Sequence, residues 1–248
     1  MVWKGASVDA LLNPTEAYLT AVLECEEVGA DPLRARIAER VGHAPSTVTQ
    51  TANRLTRIGL FYTVPGDRRL HLTVEGRRIA LRVMRKHRLA ECLLVDTIGL
   101  EWEWAHDEAS RWEHAIGDAT AERIAELLGH PERSPYGNPI PTLAEAERGS
   151  ALPPHDPHAI NALRRTFDAD PAEPAELVSI SETAQSDPDL LAELSAAGIA
   201  PGASLRVERS GTGVRVALAS SPDGPGIELD HAQAAQFFVA SPATVRSE

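Results

Sequence analysis

From Pro45 to Ile58 the chain reads as a helical stretch with no carboxylate in it. Pro45 suits a first helical turn, where its missing N–H leaves no bond unmade. Val48, Leu55 and Ile58 can face inward. The other face carries Ser46, Thr47, Thr49, Gln50, Asn53, Arg54 and Arg57. Taken alone, such a helix reads as a solvated surface helix; its neighbours change that reading. Upstream, Asn13-Pro14-Thr15-Glu16 starts a helix with an Asn cap, a first-turn Pro and a Glu three after the cap. Tyr18, Leu19, Val22 and Leu23 form its apolar stripe, and Gly29 stops it. Asp31-Pro32 opens a second helix with Leu33, Ile37 and Val41 inward and Arg34, Arg36 and Arg40 outward; Gly42 ends it. Downstream, Leu60–Val64 and Arg69–Thr73 flank a Pro65-Gly66-Asp67 turn, which predicts a short β-hairpin with Arg68 and Arg69 at its tip.

Helix, tight turn, helix and hairpin together predict a winged helix-turn-helix. Short hydroxyl and amide side chains with Arg suit a helix laid in the major groove of double-stranded DNA. The net charge of -12 argues against nucleic acid until it is read by segment. Residues 1–90 hold 14 Lys/Arg and 9 Asp/Glu, hence +5; the rest holds 24 - 14 = 10 basic and 36 - 9 = 27 acidic residues, hence -17. Only the front of the chain suits a polyanion.

Thr73 can cap a long helix from about Val74 to Thr97, ended by Gly99. Its first half is basic (Arg77, Arg78, Arg82, Arg85, Lys86, Arg88) and its second half apolar. Helices from about Glu101 to Ile116 and from Asp118 to Leu128 follow. Their apolar surplus, including Leu93, Leu94, Ile98, Trp102, Trp104 and Leu127, suits a homodimer interface. Two helical stripes of imidazole and carboxylate lie here. His87 and Glu91 are one turn apart, as are His106, Ser110 and His114, with Glu113 on the same stripe. Such donors suit divalent transition metals.

Pro131–Ala175, with its Pro153-Pro154-His155-Asp156-Pro157 run, reads as a linker with one short helical stretch near Ile160–Phe167. Strands at Leu177–Ile180, Ser204–Val207, Val214–Leu218 and Ile227–Leu229, with a helix over Asp189–Ala197, predict a small β-barrel. The expected class is mainly α with a small β domain. The expected domains are residues 1–75 (winged helix-turn-helix), 76–142 (helical), 143–175 (linker) and 176–242 (barrel). No apolar run reaches membrane-span length, and Cys25 and Cys92 make no disulfide framework, so a cytoplasmic site is expected.

Several stretches resemble the diphtheria toxin repressor/iron-dependent regulator family. They are Thr15–Leu19, Leu33–Arg40, Thr47–Thr51, Met84–Glu91, His106–Ala109, Arg111–His114 and Gly137–Pro141. The resemblance implies an SH3-like barrel, and a homodimer that Fe(II) or Mn(II) switches into an operator-binding repressor, possibly with two dimers per operator. Co(II), Ni(II) or Zn(II) would be surrogates in vitro. It makes Gln50 base-facing and places Arg34, Arg36, Thr47, Thr49, Arg57 and Arg68 at or near the phosphates; Ser46 and Arg54, on the same polar helix face, are expected at DNA with them. His87, Glu91 and His106 match an ancillary metal site, completed from the barrel by a carboxylate and an amide; the expected positions are Asp187 and Leu190, with Gln185 near enough to substitute. Glu113 and His114 match half of a primary site. Its other half departs from the family: Ala17 has no donor atom, and Ser110 replaces a sulfur or carboxylate ligand.

That departure leaves two alternatives open beside metal control through the ancillary set. One is a regulator answering a non-metal ligand or a redox signal through Cys25 or Cys92. Against the latter, Glu24 and Glu26 flank Cys25 and would raise its thiol pKa, and Cys92 lies in an apolar stretch. The other is a metalloenzyme, for which no HExxH-type motif or nucleophile elbow is present; the expectation is no enzyme.

Overall fold

The computed structural model describes residues 14–150, 159–162, 164–165, 173–211 and 213–240. They fall into two units. The described residues of Met1–Leu94, Asp107–Glu132 and Ile140–Leu152 form the first, and those of Val95–His106, Arg133–Pro139 and Pro153–Glu248 the second.

In the first unit, α1 (Pro14–Glu27) buries the expected stripe, Tyr18, Leu19, Val22 and Leu23. α2 (Arg34–Val41) ends at Gly42, whose φ of 67° favours glycine. α3 (Pro45–Arg57) buries Val48, Ala52 and Leu55 against them. Ile58, expected to point inward, is 56% exposed. It is the C-cap, with ψ near 6°, so its side chain has left the stripe. The hairpin is shorter than expected: β1 (Phe61–Tyr62) pairs antiparallel with β2 (His71–Leu72). Its turn is held by Asp67, which accepts the Arg69 backbone N–H at 2.9 Å and pairs with His71 Nε2 at 2.9 Å. These bonds hold the half-buried Asp67 carboxyl down at about 2.

Thr73 caps α4 (Val74–Cys92), accepting from the Gly76 N–H, while its hydroxyl donates to the Gly59 carbonyl. The helix does not run unchanged to Thr97: over Leu93–Ile98 it widens to a π-helix before Gly99. Most of α4's basic side chains are spent inside the unit. Arg77 pairs with Glu26, Arg78 with Glu75, Arg85 with Glu122, Lys86 with Asp118, and Arg88 with Glu27. The basic front of the chain is therefore narrower than its charge count suggests. α5 (Trp102–Trp112) and α6 (Asp118–Leu127) follow; Ala121, Ile124 and Ala125 of α6 pack on Leu89 and Cys92. α7 (Leu143–Arg148) lies in the stretch expected to be linker. Its Thr142/Glu145 capping box is a signal the sequence carried.

The second unit is built on an antiparallel sheet. Among the described residues its strands are β3 (Ile160–Asn161), β4 (Ala175–Ile180), β5 (Ser204–Ser210), β6 (Gly213–Leu218), β7 (Gly226–Asp230) and β8 (Phe237–Ala240), in the order β3-β8-β4-β5-β6-β7. β4–β7 match the expected strands. β3 replaces the start of the expected Ile160–Phe167 helix, and β8 was not foreseen. Leu205 and Val207 alternate inward with Arg206 and Glu208 outward, the period-two pattern of a half-buried strand. Two short helices, α8 (Glu182–Gln185) and α9 (Pro188–Ala196), and then α10 (His231–Ala234), join the strands. The Pro153–Pro157 run lies outside the described residues.

Candidate metal centre and nucleic-acid face

α4 places His87 and Glu91 one turn apart on its buried side. His87 Nε2 lies 2.8 Å from Glu91 Oε1, and Nδ1 lies 2.7 Å from Glu113 Oε2. Glu113 continues the last turn of α5, its N–H bonding the Ala109 carbonyl at 2.9 Å. Its other oxygen lies 3.1 Å from His114 Nε2, while His114 Nδ1 lies 2.5 Å from Glu16 Oε2 on α1. Burial disfavours a charge on His114, but the Glu16 hydrogen bond and the charges of Glu113 and Glu16 outweigh it and raise its pKa above the ordinary value.

In the second unit, His106 is oriented by a buried tyrosine. Tyr136 Oη accepts the His106 backbone N–H at 3.2 Å and donates to the Trp102 carbonyl at 2.6 Å. The loop bearing Tyr136 is fixed to β4: Ile180 N–H bonds the Tyr136 carbonyl at 2.9 Å and Asn138 Nδ2 donates back to Ile180 at 2.9 Å. Gly137 permits this approach. Its φ is +83°, and a Cβ there would sit 2.0 Å from the Val178 carbonyl oxygen. His106 Nδ1 lies 3.4 Å from Glu182 Oε2, and Nε2 lies 3.2 Å from Ser186 Oγ.

The barrel carboxylate beside His106 is thus Glu182, not the expected Asp187. Asp187 is committed elsewhere: it is the N-cap of α9 and accepts the Leu190 N–H at 3.1 Å. Leu190 packs in the core. Gln185, the expected substitute amide, is buried; its Nε2 donates to the Ile180 carbonyl at 2.6 Å and its Oε1 makes no hydrogen bond. A carboxylate and an amide three residues apart, on one turn directly after a strand, were the signal that sequence reading passed over.

Imidazole nitrogens with carboxylate and amide oxygens form a donor set for Fe(II), Mn(II) or Zn(II). The buried Gln185 Oε1 and His114 Nε2, neither with a hydrogen bond, fit an ion better than a closed polar network. The positions that depart from the family stay departed: Ala17 and Ser110 are both half-buried, and neither places a charge or sulfur near His114.

Most of the side chains expected at DNA are exposed. Ser46, Thr47, Thr49, Gln50, Arg54 and Arg57 of α3 are exposed, as are Arg36 of α2 and Arg68 of the wing; Arg34 is half-buried. Thr49 bonds back to the Pro45 carbonyl at 2.9 Å, and Arg54 donates to Thr15 at 3.2 Å. Arg69 at the wing tip is held by Asp67 and Asp31, leaving Arg68 as the wing's presented cation.

Neither cysteine is poised for redox chemistry. Both are buried, and burial, then the Glu24 charge, pushes the Cys25 thiol up to about 11. With a pKa of about 11, about one Cys25 thiol in a thousand is ionised at pH 8. Iodoacetamide at pH 8 should therefore leave the native protein essentially unlabelled over minutes while labelling both thiols in guanidinium. Rapid stoichiometric labelling of native protein, read by intact mass, would revive a redox signal.

Comparison with known proteins bears on what this arrangement does. The family described as "Iron dependent repressor, N-terminal DNA binding domain" matches residues 10–67, and "Iron dependent repressor, metal binding and dimerisation domain" matches residues 73–142. The iron-dependent repressor IdeR of Mycobacterium tuberculosis is 43% identical over 231 residues, 92% of this chain and 96% of that protein. The diphtheria toxin repressor of Corynebacterium diphtheriae is 41% identical over 222 residues, 88% and 93% of the two chains. Among solved structures, a manganese-dependent transcriptional repressor in complex with manganese superposes with a TM-score of 0.75 at 31% identity, covering 92% of this chain and 99% of that one.

Proposed function

Because this chain belongs to the iron-dependent repressor family, we propose that it is a metal-dependent, DNA-binding transcriptional repressor that acts as a homodimer. Fe(II) or Mn(II) is its effector, and the regulated genes serve metal homeostasis. The metal is a ligand and not a catalyst, so the metalloenzyme alternative falls away, and the buried thiols favour no redox reading.

The observation that carries the proposal is the coexistence of a carboxylate-free, exposed recognition helix with buried imidazole and carboxylate donors. His87, Glu91 and His106 are the donors that the family resemblance proposes for one ion; the carboxylate of Glu182, 3.4 Å from His106, and Gln185 Oε1 are the proposed carboxylate and amide on the sheet side. Glu113 and His114 are the proposed donors for a second. A bound ion supplies a fixed double positive charge in place of mobile protons. The chain's residues do the rest: α4 carries donors in its last two turns and starts directly after the wing, so order imposed at His87 and Glu91 passes along one helix toward the DNA-binding helices. In a dimer, Ile98 and Trp104, 56% and 50% exposed, are the proposed apolar contact. The two recognition helices would then meet half-sites one helical turn apart or a multiple. Domain limits near residues 75, 142 and 175, two dimers on one operator and a cytoplasmic site of action belong to the same reading. Sedimentation of the complex distinguishes two protomers per duplex from four. Among the described residues no helix is long and apolar enough to cross a membrane.

The test is operator affinity with Fe(II), Mn(II) or Co(II), and with chelator. Metal should tighten binding by about 5–150-fold, the usual range of an allosteric coupling. Equal affinity in all conditions would sink metal control. Gln50→Ala should cost about 1–3 kcal/mol of discrimination at one base pair, with little change on unrelated duplexes.

A further inference from the structure

The family's link from metal to first helix runs through position 17, and here that position is an alanine. The structure offers a different link. Glu91, His87, Glu113, His114 and Glu16 form an unbroken alternation of carboxylate and imidazole within the first unit. Its successive contacts are 2.8, 2.7, 3.1 and 2.5 Å. It starts on α4, crosses the end of α5 and finishes on α1. The other acidic side chains of α1 are engaged by arginines: Glu24 by Arg40, Glu26 by Arg77 and Glu27 by Arg88. Glu16 instead meets an imidazole.

The tautomer of His114 follows from Glu16. An ionised carboxylate can only accept a hydrogen bond, so at 2.5 Å the Nδ1 of His114 must carry the proton. The other ring nitrogen, Nε2, points toward Glu113 Oε1, is buried, and makes no hydrogen bond; the side chain is 9% exposed. A histidine whose Nδ1–H is held by a carboxylate while Nε2 makes no hydrogen bond is the arrangement by which outer carboxylates orient metal-binding imidazoles.

We propose that Glu16 is the positioning residue of the regulatory metal site, holding the Nδ1 proton of His114 so that Nε2 and Glu113 take the ion. It thereby ties α1 to the ion in place of the direct ligand that Ala17 cannot supply. The inference rests on the metal-dependent reading above. Under it, α1 reports on the metal through a hydrogen bond to the ligand ring and not through a coordination bond. Glu113 belongs to both halves of the chain of contacts: Oε2 holds His87, whose other nitrogen faces Glu91, so the donor sets on His87 and His114 share one carboxylate.

The experiment uses the full chain. Co(II) titration calorimetry should give two ions per wild-type chain. Glu16→Ala should weaken one of them by about 10–100-fold, the usual effect of losing an outer-shell partner. Glu16→Gln, which keeps an acceptor for Nδ1–H and loses the charge, should fall between the two and serves alone if Glu16→Ala does not fold. In Zn(II)-loaded wild type, ¹⁵N NMR should show His114 metal-bound at Nε2 and protonated at Nδ1. In Glu16→Ala that single tautomer should be lost, whereas a merely structural role for Glu16 would leave it in place. Unchanged Co(II) affinity in both variants, Zn(II) on Nδ1, or His114 resonances insensitive to Zn(II) would each overturn the inference while leaving metal control standing. A wild-type chain that binds no Co(II) would overturn both.

Discussion

Arg88→Ala should destabilise the first unit by about 3–5 kcal/mol, the cost of removing one partner from a buried ion pair. Arg88 is fully buried, and its guanidinium donates to both oxygens of Glu27 at 3.0 and 2.8 Å. Removing it takes two charge-assisted donors from a carboxylate whose side chain is only 5% exposed to solvent. For a chain of this size the loss corresponds to a melting temperature lower by roughly 6–20 °C. The double substitution Glu27→Leu with Arg88→Met removes both charges, and should regain most of that stability, because two apolar groups bury without penalty. Thermal melts of the three variants check the prediction. A single variant that melts with the wild type would mean that the Arg88–Glu27 pair contributes nothing net to the joining of α1 and α4.

Operator affinity should fall by roughly 10³–10⁵ between 50 and 200 mM salt, as for proteins that neutralise about six to ten phosphates. The presented cations of one protomer are Arg34, Arg36, Arg54, Arg57 and Arg68. Doubled in a dimer they supply about ten charges, and a slope of log K against log salt approaching about -9. Arg57→Ala should reduce that slope by about 1.8, two contacts at about 0.9 each. By contrast, Arg85→Ala should leave the slope alone, because Arg85 is bound at 3.0 and 3.1 Å to Glu122 and donates at 2.9 Å to the Pro141 carbonyl. Fluorescence anisotropy across a salt series measures both. A slope near zero, or an equal loss from both substitutions, would remove α3 and the wing from the DNA face.

The contrast between Arg57 and Arg85 shows where sequence reading stops. Both are basic residues on helices of the front segment, and charge counting cannot separate them. Their difference lies in Glu122, which is 37 residues along the chain from Arg85. The same holds at the metal donors. His87 and Glu91 were legible because one helical turn fixes their spacing, and Glu113 with His114 because they are adjacent. Glu182 was not, because no local rule places a residue of the sheet unit beside His106; Asp187 looked equally suitable until it proved to be a helix cap. Glu16 was visible as a capping-box residue of α1, but its bond to His114 spans 98 residues and leaves no periodic trace.

The sequence by itself determined the elements that depend on neighbours a few positions away. These are the punctuation of α1–α3 by Pro14, Gly42 and Pro45, the hairpin turn, the alternating strands of the sheet and the family to which these belong. Their signals are caps, turns and apolar periods, all of which act within one or two turns of chain. Only the tertiary structure decided which charges are presented and which are spent, which carboxylate stands by His106, and what α1 offers in place of a ligand at Ala17. Those outcomes are set by contacts between distant segments. Burial there makes each polar atom take the nearest partner the fold provides, whatever its distance in the sequence.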